Sequence, residues 1–290
     1  MDDFLDSCES SEEALAVTNQ VILINRQAGF EMYNWSSNCS VIHAELTGKT
    51  HSEVSPYVVN ASQQNVEKVL GLRWLNESDC LLFNVDLSKV SKDVLSGSSV
   101  ASKRQCLGLM MSIFDPLGYL IPYTIQARFI FQGICKNGTN WDEPMQKGDF
   151  WLWKNWLNKL LDVALVRINR CYQSQHFQSR KAELHVFCDA SSRAYGAVAY
   201  WRFRLPNGSF HVAFIMAKSK VVSLKSKTTI PRLELQAALI AVRLAEFIRE
   251  EHDFEVTQRF FWSDSRVVLQ WIAKEPNAFK SFVSNRLHEI

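Results

Sequence analysis

The chain has almost no net charge: 32 Lys and Arg stand against 30 Asp and Glu in 290 residues, a formal +2. An excess that small removes any argument for nucleic-acid binding from overall charge, so such a case has to come from local distribution. No C-x-x-C pair is present. The seven cysteines, at 8, 39, 80, 106, 135, 171 and 188, are scattered, odd in number and unaccompanied by a histidine cluster. That argues against a zinc site and leaves reduced, buried thiols as the expectation. No apolar run approaches the roughly 20 residues a membrane helix needs, so no membrane partner is expected. Internal repeats and low-complexity tracts are also missing. The first residues lack a basic stretch followed by an apolar one. The six Asn-x-Ser/Thr sequons, such as Asn137-Gly138-Thr139, therefore read as chance matches. The expected setting is intracellular.

What is present is an ordinary globular balance, 47% hydrophobic against 21% charged, which excludes disorder as the default. The length suits one large or two medium domains. Residues 1–25 carry six acids and no base. Ser10 and Glu13 have the spacing of a capping box, and a helix of about four turns is expected up to Gly29. EMYNWSSN, at 31–38, reads as a short aromatic strand, and 40–64 as loop-rich. VEKVLGLRWLNESDCLLFNVDL reads as two strands joined at Asn76-Glu77-Ser78-Asp79. Residues 103–133 look helical, interrupted at Asp115-Pro116-Leu117-Gly118 and Pro122. A further helix is expected in FWLWKNWLNKLLDVAL, with Trp151, Trp153 and Trp156 assigned to the core.

The pattern changes at the polar stretch 175–182, a candidate domain boundary. ELHVFCDASS, YGAVAYWRFRL and FHVAFIMAKSKV alternate as three strands in hairpin order, with a turn at Pro206-Asn207-Gly208. A long helix is expected from Pro231 to about Glu251. The strand RFFWSD and the helix SRVVLQWIAKE follow. Three acids occupy related places. Alternation puts Asp189 on the face of His185 and Phe187, and Asp264 on the face of Phe260 and Trp262. Glu234 lies in the first turn of the long helix, in line with Ala238, Ala241 and Ala245, which lets it face the sheet. Three converging carboxylates repel one another unless a cation neutralises them. Oxygen-only ligation suits Mg²⁺ or Mn²⁺, and two such ions about 4 Å apart suit phosphodiester hydrolysis. Taken singly, each acid is as well explained as turn or helix-end chemistry. Between Asp189 and Glu234 there are eight bases and no acid. Six of them, Arg193, Lys218, Lys220, Lys225, Lys227 and Arg232, are the candidates for a phosphate backbone; a solvated basic face is the alternative.

FCDASSRAYGAVAYWR, AKSKV…TIPRLELQAAL and WSDSRVVLQWI resemble the ribonuclease H domain of retroelement polyproteins, closest in look to the BEL/Pao class of LTR retrotransposons. VLGLRWL, SIFDPLGYLIPYTIQARFIFQ and NWDEP are similar to the region in front of that domain in the same class. The resemblance implies an α/β fold, α+β upstream. Residues 1–95 would be the end of a reverse-transcriptase palm, 96–178 a helical thumb and connection, and 179–290 a mixed-sheet ribonuclease H-like domain. It implies that Asp189, Glu234 and Asp264 are three of four catalytic acids on a two-metal site, with the chain stopping before the fourth. It implies that MDDFLDS is the back of a Y-x-D-D polymerase turn, with Asp2 as metal ligand and Asp3 supporting. The implied partners are an RNA–DNA hybrid or template-primer and the rest of the pol polyprotein, in a virus-like particle or the nucleus. On this reading the chain lacks polymerase activity and has weak or no nuclease activity. A non-catalytic nucleic-acid-binding remnant, retained by a host, is the alternative. A transposase or integrase of similar fold fits less well, because the glutamate comes second among the acids.

Overall fold

The computed structural model describes residues 4–33, 35–47, 66–69, 71–83, 85, 87, 91–96, 98–173 and 179–290. Asp2 and Asp3 lie outside the described residues. Two sheets with helices make a mixed α/β chain. Met1–Asn84 with Val166–Arg170 form one compact unit, and Val85–Leu165 with Cys171–Ile290 form the other. No helix among the described residues is long and apolar enough to cross a membrane.

In the first unit, α1 (Ser11–Gln27) begins as the sequence predicts. Ser10 Oγ accepts the Glu13 amide at 3.1 Å, and Glu12 and Glu13 place negative charge at the positive helix end. The helix ends just before Gly29, whose φ of +80° suits a residue without Cβ. The described residues of 31–38 form no strand, because no second strand pairs with them. The expected loop beyond them contains a helix, α2 (Ser40–Thr47). Eight residues are too few for a helix to persist alone; burial of Ile42 supplies the tertiary support that propensity cannot show.

The first sheet has the order β1 (Val66–Val69), β2 (Leu72–Leu75), β3 (Cys80–Leu82), β4 (Arg167–Asn169), antiparallel throughout. The predicted turn at 76–79 joins β2 to β3. A second turn, with Gly71 at φ +86°, splits the first predicted strand in two. β4 was not legible, since its partner β3 lies far away in sequence.

The second unit opens with five helices: α3 (Lys92–Leu95), α4 (Lys103–Met111), α5 (Ile121–Lys136), α6 (Lys147–Leu157) and α7 (Leu160–Val163). Ser102 and Gln105 cap α4 reciprocally. Asp115 orders the loop that leads into α5: its carboxylate accepts the amides of Gly118, Tyr119 and Leu120 at 2.8–3.0 Å. Cys106, Leu109, Ile134, Trp153, Trp156 and Leu160 pack as one core. Trp156 stacks on Tyr123 with centroids 4.8 Å apart. Trp151 corrects the expectation for the three tryptophans: it is 65% exposed. Two residues from Trp153, it points to the other side of α6.

The second sheet has the order β7-β6-β5-β8, from β5 (Lys181–Ala190), β6 (Ala194–Arg204), β7 (Phe210–Val221) and β8 (Glu255–Trp262). The first three are the predicted hairpins. β8 runs parallel to β5, a connection made by α8 (Ile230–Glu251). α9 (Arg266–Ile272), a short 3₁₀ turn and α10 (Ser281–Leu287) follow. One face of the sheet, with Leu184, Val186, Cys188, Ala199, Trp201 and Phe203, is buried in the same core as α8. Ala237, Ala238, Ala241 and Ala245 are all buried, so the helix backbone lies close to the strands. Phe247 of α8 is 43% exposed, whereas Ile248 beside it is fully buried. Only Cys80, Cys106 and Cys188 are buried, and none of the seven cysteines is in a disulfide.

Candidate metal centre

The register of two parallel strands brings two of the acids together. Phe187 on β5 pairs with Trp262 on β8. The next position on the same face of each chain is two residues on, at Asp189 and Asp264. Glu234 comes from the first turns of α8, on the buried side of the sheet. One carboxylate oxygen from each of the three lies within 4.8 Å of the others. Asp189 and Asp264 are exposed and Glu234 is buried.

Turn chemistry explains little of this. Asp189 Oδ1 accepts the neighbouring Ala190 amide at 2.7 Å. Asp264 is not the cap of α9; Ser265 is, accepting the Val268 amide. Glu234 Oε2 is buried and has no hydrogen-bond partner. Burial, followed by the charges of Asp189 and Asp264, pushes the Glu234 carboxyl up to about 7, against the opposing pull of the Ala190 N–H. A buried carboxylate oxygen without a donor, beside two other carboxylates, is costly unless a cation joins it. The donors are oxygen only. Opposite ligands of one Mg²⁺ lie about 4.2 Å apart, so the observed spacing suits one ion with slight closure, or two. The residues present fit a hard divalent cation. Cys188, next to Asp189, is no ligand: burial pushes its thiol up to about 11, and its Sγ–H reaches the Trp262 carbonyl.

A groove of about 760 Å³ runs from the two aspartates across the open face of the sheet. Phe187, Tyr200, Phe214 and Trp262 line it. Phe187 and Trp262 lie nearly parallel, 10° apart, and are 42% and 48% exposed. Trp262 Nε1 donates to His185 Nδ1, and His185 stacks on Phe260. Strand alternation predicted that these rings share the face of the acids. Their continuity needed the β5–β8 register, which sequence does not carry.

The six basic candidates do not form one patch. Arg193 lies 3.8 Å over Phe129 of α5, and Arg232 5.1 Å from the ring of Phe282. Lys225 and Lys227 sit in the exposed connection between β7 and α8. Lys218 and Lys220 line a neighbouring cavity on the β7 edge, with Arg128 and Arg243, which sequence reasoning did not select; Lys218 borders the aromatic groove as well. Asp2 and Asp3, the polymerase-turn candidates, lie outside the described residues.

Three antiparallel strands, a crossover helix and a parallel fourth strand, with acids at the ends of β5 and β8 and at the head of the helix, define a ribonuclease H-like domain. The chain belongs to the family described as the Pao retrotransposon-like RNaseH-like domain, whose sequence model matches residues 102–265, more than half of the chain. The match opens at the cap of α4 and contains all three acids. No curated protein matches. Among solved structures, a foamy viral protease-reverse transcriptase dRH in complex with double-stranded DNA is 10% identical with a TM-score of 0.41, covering 77% of this chain and 35% of its own. A foamy viral protease-reverse transcriptase in complex with double-stranded DNA is 11% identical with a TM-score of 0.34, covering 71% and 38%. The chain thus spans little more than a third of the structures it matches. At these scores neither adds to what its own strand order shows.

Proposed function

We propose that Asp189, Glu234 and Asp264 hold divalent cations, Mg²⁺ or Mn²⁺, for hydrolysis of the RNA strand of an RNA–DNA hybrid. The observation that carries this reading is the buried, unpartnered Glu234 Oε2 within 4.8 Å of carboxylate oxygens from two exposed aspartates. Membership of a ribonuclease H-like retrotransposon family supports it. The bound cation supplies Lewis-acid activation and neutralises charge on the scissile phosphate. Glu234 is the buried anchor that fixes position from α8. Asp189 and Asp264 present their oxygens to solvent, where a phosphodiester can approach. The apolar groove beside them gives the substrate a water-poor wall. A hybrid would be read by its shape and 2′-hydroxyls, not by sequence.

Turnover by this chain is expected to be weak. No fourth carboxylate joins the three among the described residues. Of the acids after Asp264, Glu289 is tied to Arg243. We further propose, from the resemblance of VLGLRWL and SIFDPLGYLIPYTIQARFIFQ alone, that residues 1–95 are the end of a polymerase palm and 96–178 its thumb and connection; nucleotide incorporation is not expected. Cleavage of a labelled hybrid by the purified chain in Mg²⁺ or Mn²⁺ tests the proposal, together with cation binding by calorimetry. Binding and cleavage should both disappear in Asp189→Asn. Cation binding that persists after Asp189→Asn and Asp264→Asn together would refute it.

A further inference from the structure

A second cavity of about 580 Å³ lies beside the β7 edge; none of the three carboxylates lines it, and it meets the aromatic groove along Gly118, Ile121, Ala217, Lys218 and Ser219. Three elements turn one side toward it. Lys218 and Lys220 are alternate residues of β7 and so share a side. Thr124, Ala127 and Arg128 come from one stripe of α5, and Ile240, Arg243 and Leu244 from one stripe of α8. Four cationic side chains therefore meet on three different elements. The charge opposing them is small. Asp115 lines the cavity, but its carboxylate is occupied by the amides of the loop before α5. Arg243 is held by Glu289. Lys218 and Lys220 have no ion-pair partner among the described residues; Lys218 Nζ lies 5.2 Å from the Phe247 ring. Ser219, between them, turns its side chain to the opposite face of β7, the face of Gly196 and Asp189, so its hydroxyl is not a donor here. Arg128 is already oriented, donating to the Ser219 carbonyl at 3.4 Å.

We propose that this cavity is a phosphate-binding site, made by Arg128, Lys218 and Lys220, which holds a backbone phosphate of bound nucleic acid away from the carboxylates. Convergent cations suit a tetrahedral oxyanion, and the volume admits a nucleotide unit. The proposal rests on the reading of the chain as a nucleic-acid-processing domain. It adds a contact made by the helical segment in front of the sheet, which gives α5 a part in binding.

The test uses the whole 290-residue chain and a fluorescent RNA–DNA hybrid in EDTA, with binding read by anisotropy across a NaCl series. The double variant Lys218→Gln, Lys220→Gln is expected to weaken binding about tenfold and to lower the slope of log K against log salt by about 2. The charge-matched variant Lys136→Gln, Lys147→Gln, outside the cavity, is expected to leave the slope nearly unchanged. On the parent chain, hybrid should protect Lys218 and Lys220 from acetylation, a readout that needs no variant to fold. Equal slopes for both double variants, or no protection, would overturn the proposal. Binding of inorganic phosphate or AMP lost in the Lys218, Lys220 variant, with hybrid binding unaltered, would also overturn it and assign the cavity to free phosphate. Metal-dependent cleavage by the parent chain is measured separately. Its absence would refute the nuclease reading while leaving the phosphate site standing on the EDTA data.

Discussion

The Leu117 carbonyl accepts the Ala217 amide at 2.8 Å. That single backbone bond makes the loop between α4 and α5 an extension of the edge strand β7. Gln132 of α5 reinforces it by donating to the Val222 carbonyl at 2.7 Å, and Arg193 lies over Phe129. The helices and the second sheet thus share one structural unit, which is why the family match opens at α4 rather than at β5.

Gly118 is the residue that permits this docking. Its φ is +82°, and a Cβ there would lie 2.3 Å from the Ala217 oxygen. Both the conformation and the space exclude a side chain. Gly118→Ala is expected to cost about 1–3 kcal/mol and to speed hydrogen exchange at the Ala217 amide. Unchanged exchange at that amide would show the loop to be held by other contacts.

Trp201 gives a test of the sheet core. It is fully buried, and its indole N–H has no partner. Trp201→Ala should cost about 3–5 kcal/mol through the cavity it leaves. Trp201→Phe should cost far less, because it also removes a buried, unsatisfied donor worth about 1–3 kcal/mol. Urea midpoints of the two variants give the comparison; equal losses would mean that the indole N–H is in fact satisfied.

The second sheet was readable because its cues are local. Strand alternation in β5 and β6, turn residues at Asn207-Gly208 and the alanine stripe of α8 each lie within one element. The three acids followed from the same cues. What escaped depends on distant partners. β4 is a strand only because β3 pairs with it, and α2 is a helix because Ile42 finds a core. The stretch 31–38 has strand composition, but among the described residues it has no strand to join. At the site, residue types gave the carboxylates, but neither the continuity of the aromatic groove nor the cavity with Arg128 and Arg243 could be read, since α5 and α8 meet β7 only in three dimensions.

In the first unit, Asp79 ties the hairpin to β4. Its carboxylate takes two bonds from Arg170, at 2.6 and 3.0 Å, and one from the Trp74 indole at 2.9 Å. Its φ of +49° is unusual for a residue with a side chain, and is better tolerated by Asp and Asn than by Ala. The pair is partly exposed, so its charge contributes little: Asp79→Asn should cost about 1 kcal/mol. Asp79→Ala should cost about 2 kcal/mol, adding lost hydrogen bonds and backbone strain. Thermal midpoints in that order support the assignment; an Ala variant as stable as the Asn variant would count against it.

Glu234 makes stability depend on pH in a direction opposite to that of a salt-bridged acid. Its carboxyl is raised from 4.5 to about 7 by burial and by Asp189 and Asp264. The folded chain therefore binds this proton more readily than the unfolded chain does. The stabilising effect of protonation is complete below about 4.5 and is lost as the pH rises through about 7. Metal-free protein should melt lower at pH 8 than at pH 5.5 because of this group. Glu234→Gln cannot ionise, so the difference between parent and variant isolates the effect from other titrations: the variant should be the more stable at pH 8 without metal. Adding Mg²⁺ should reverse the order, since cation binding requires the ionised carboxylate and favours the parent, more at pH 8 than at pH 5.5. Parallel melting profiles for the two proteins, with and without Mg²⁺, would show that Glu234 neither carries the raised proton affinity nor holds the cation.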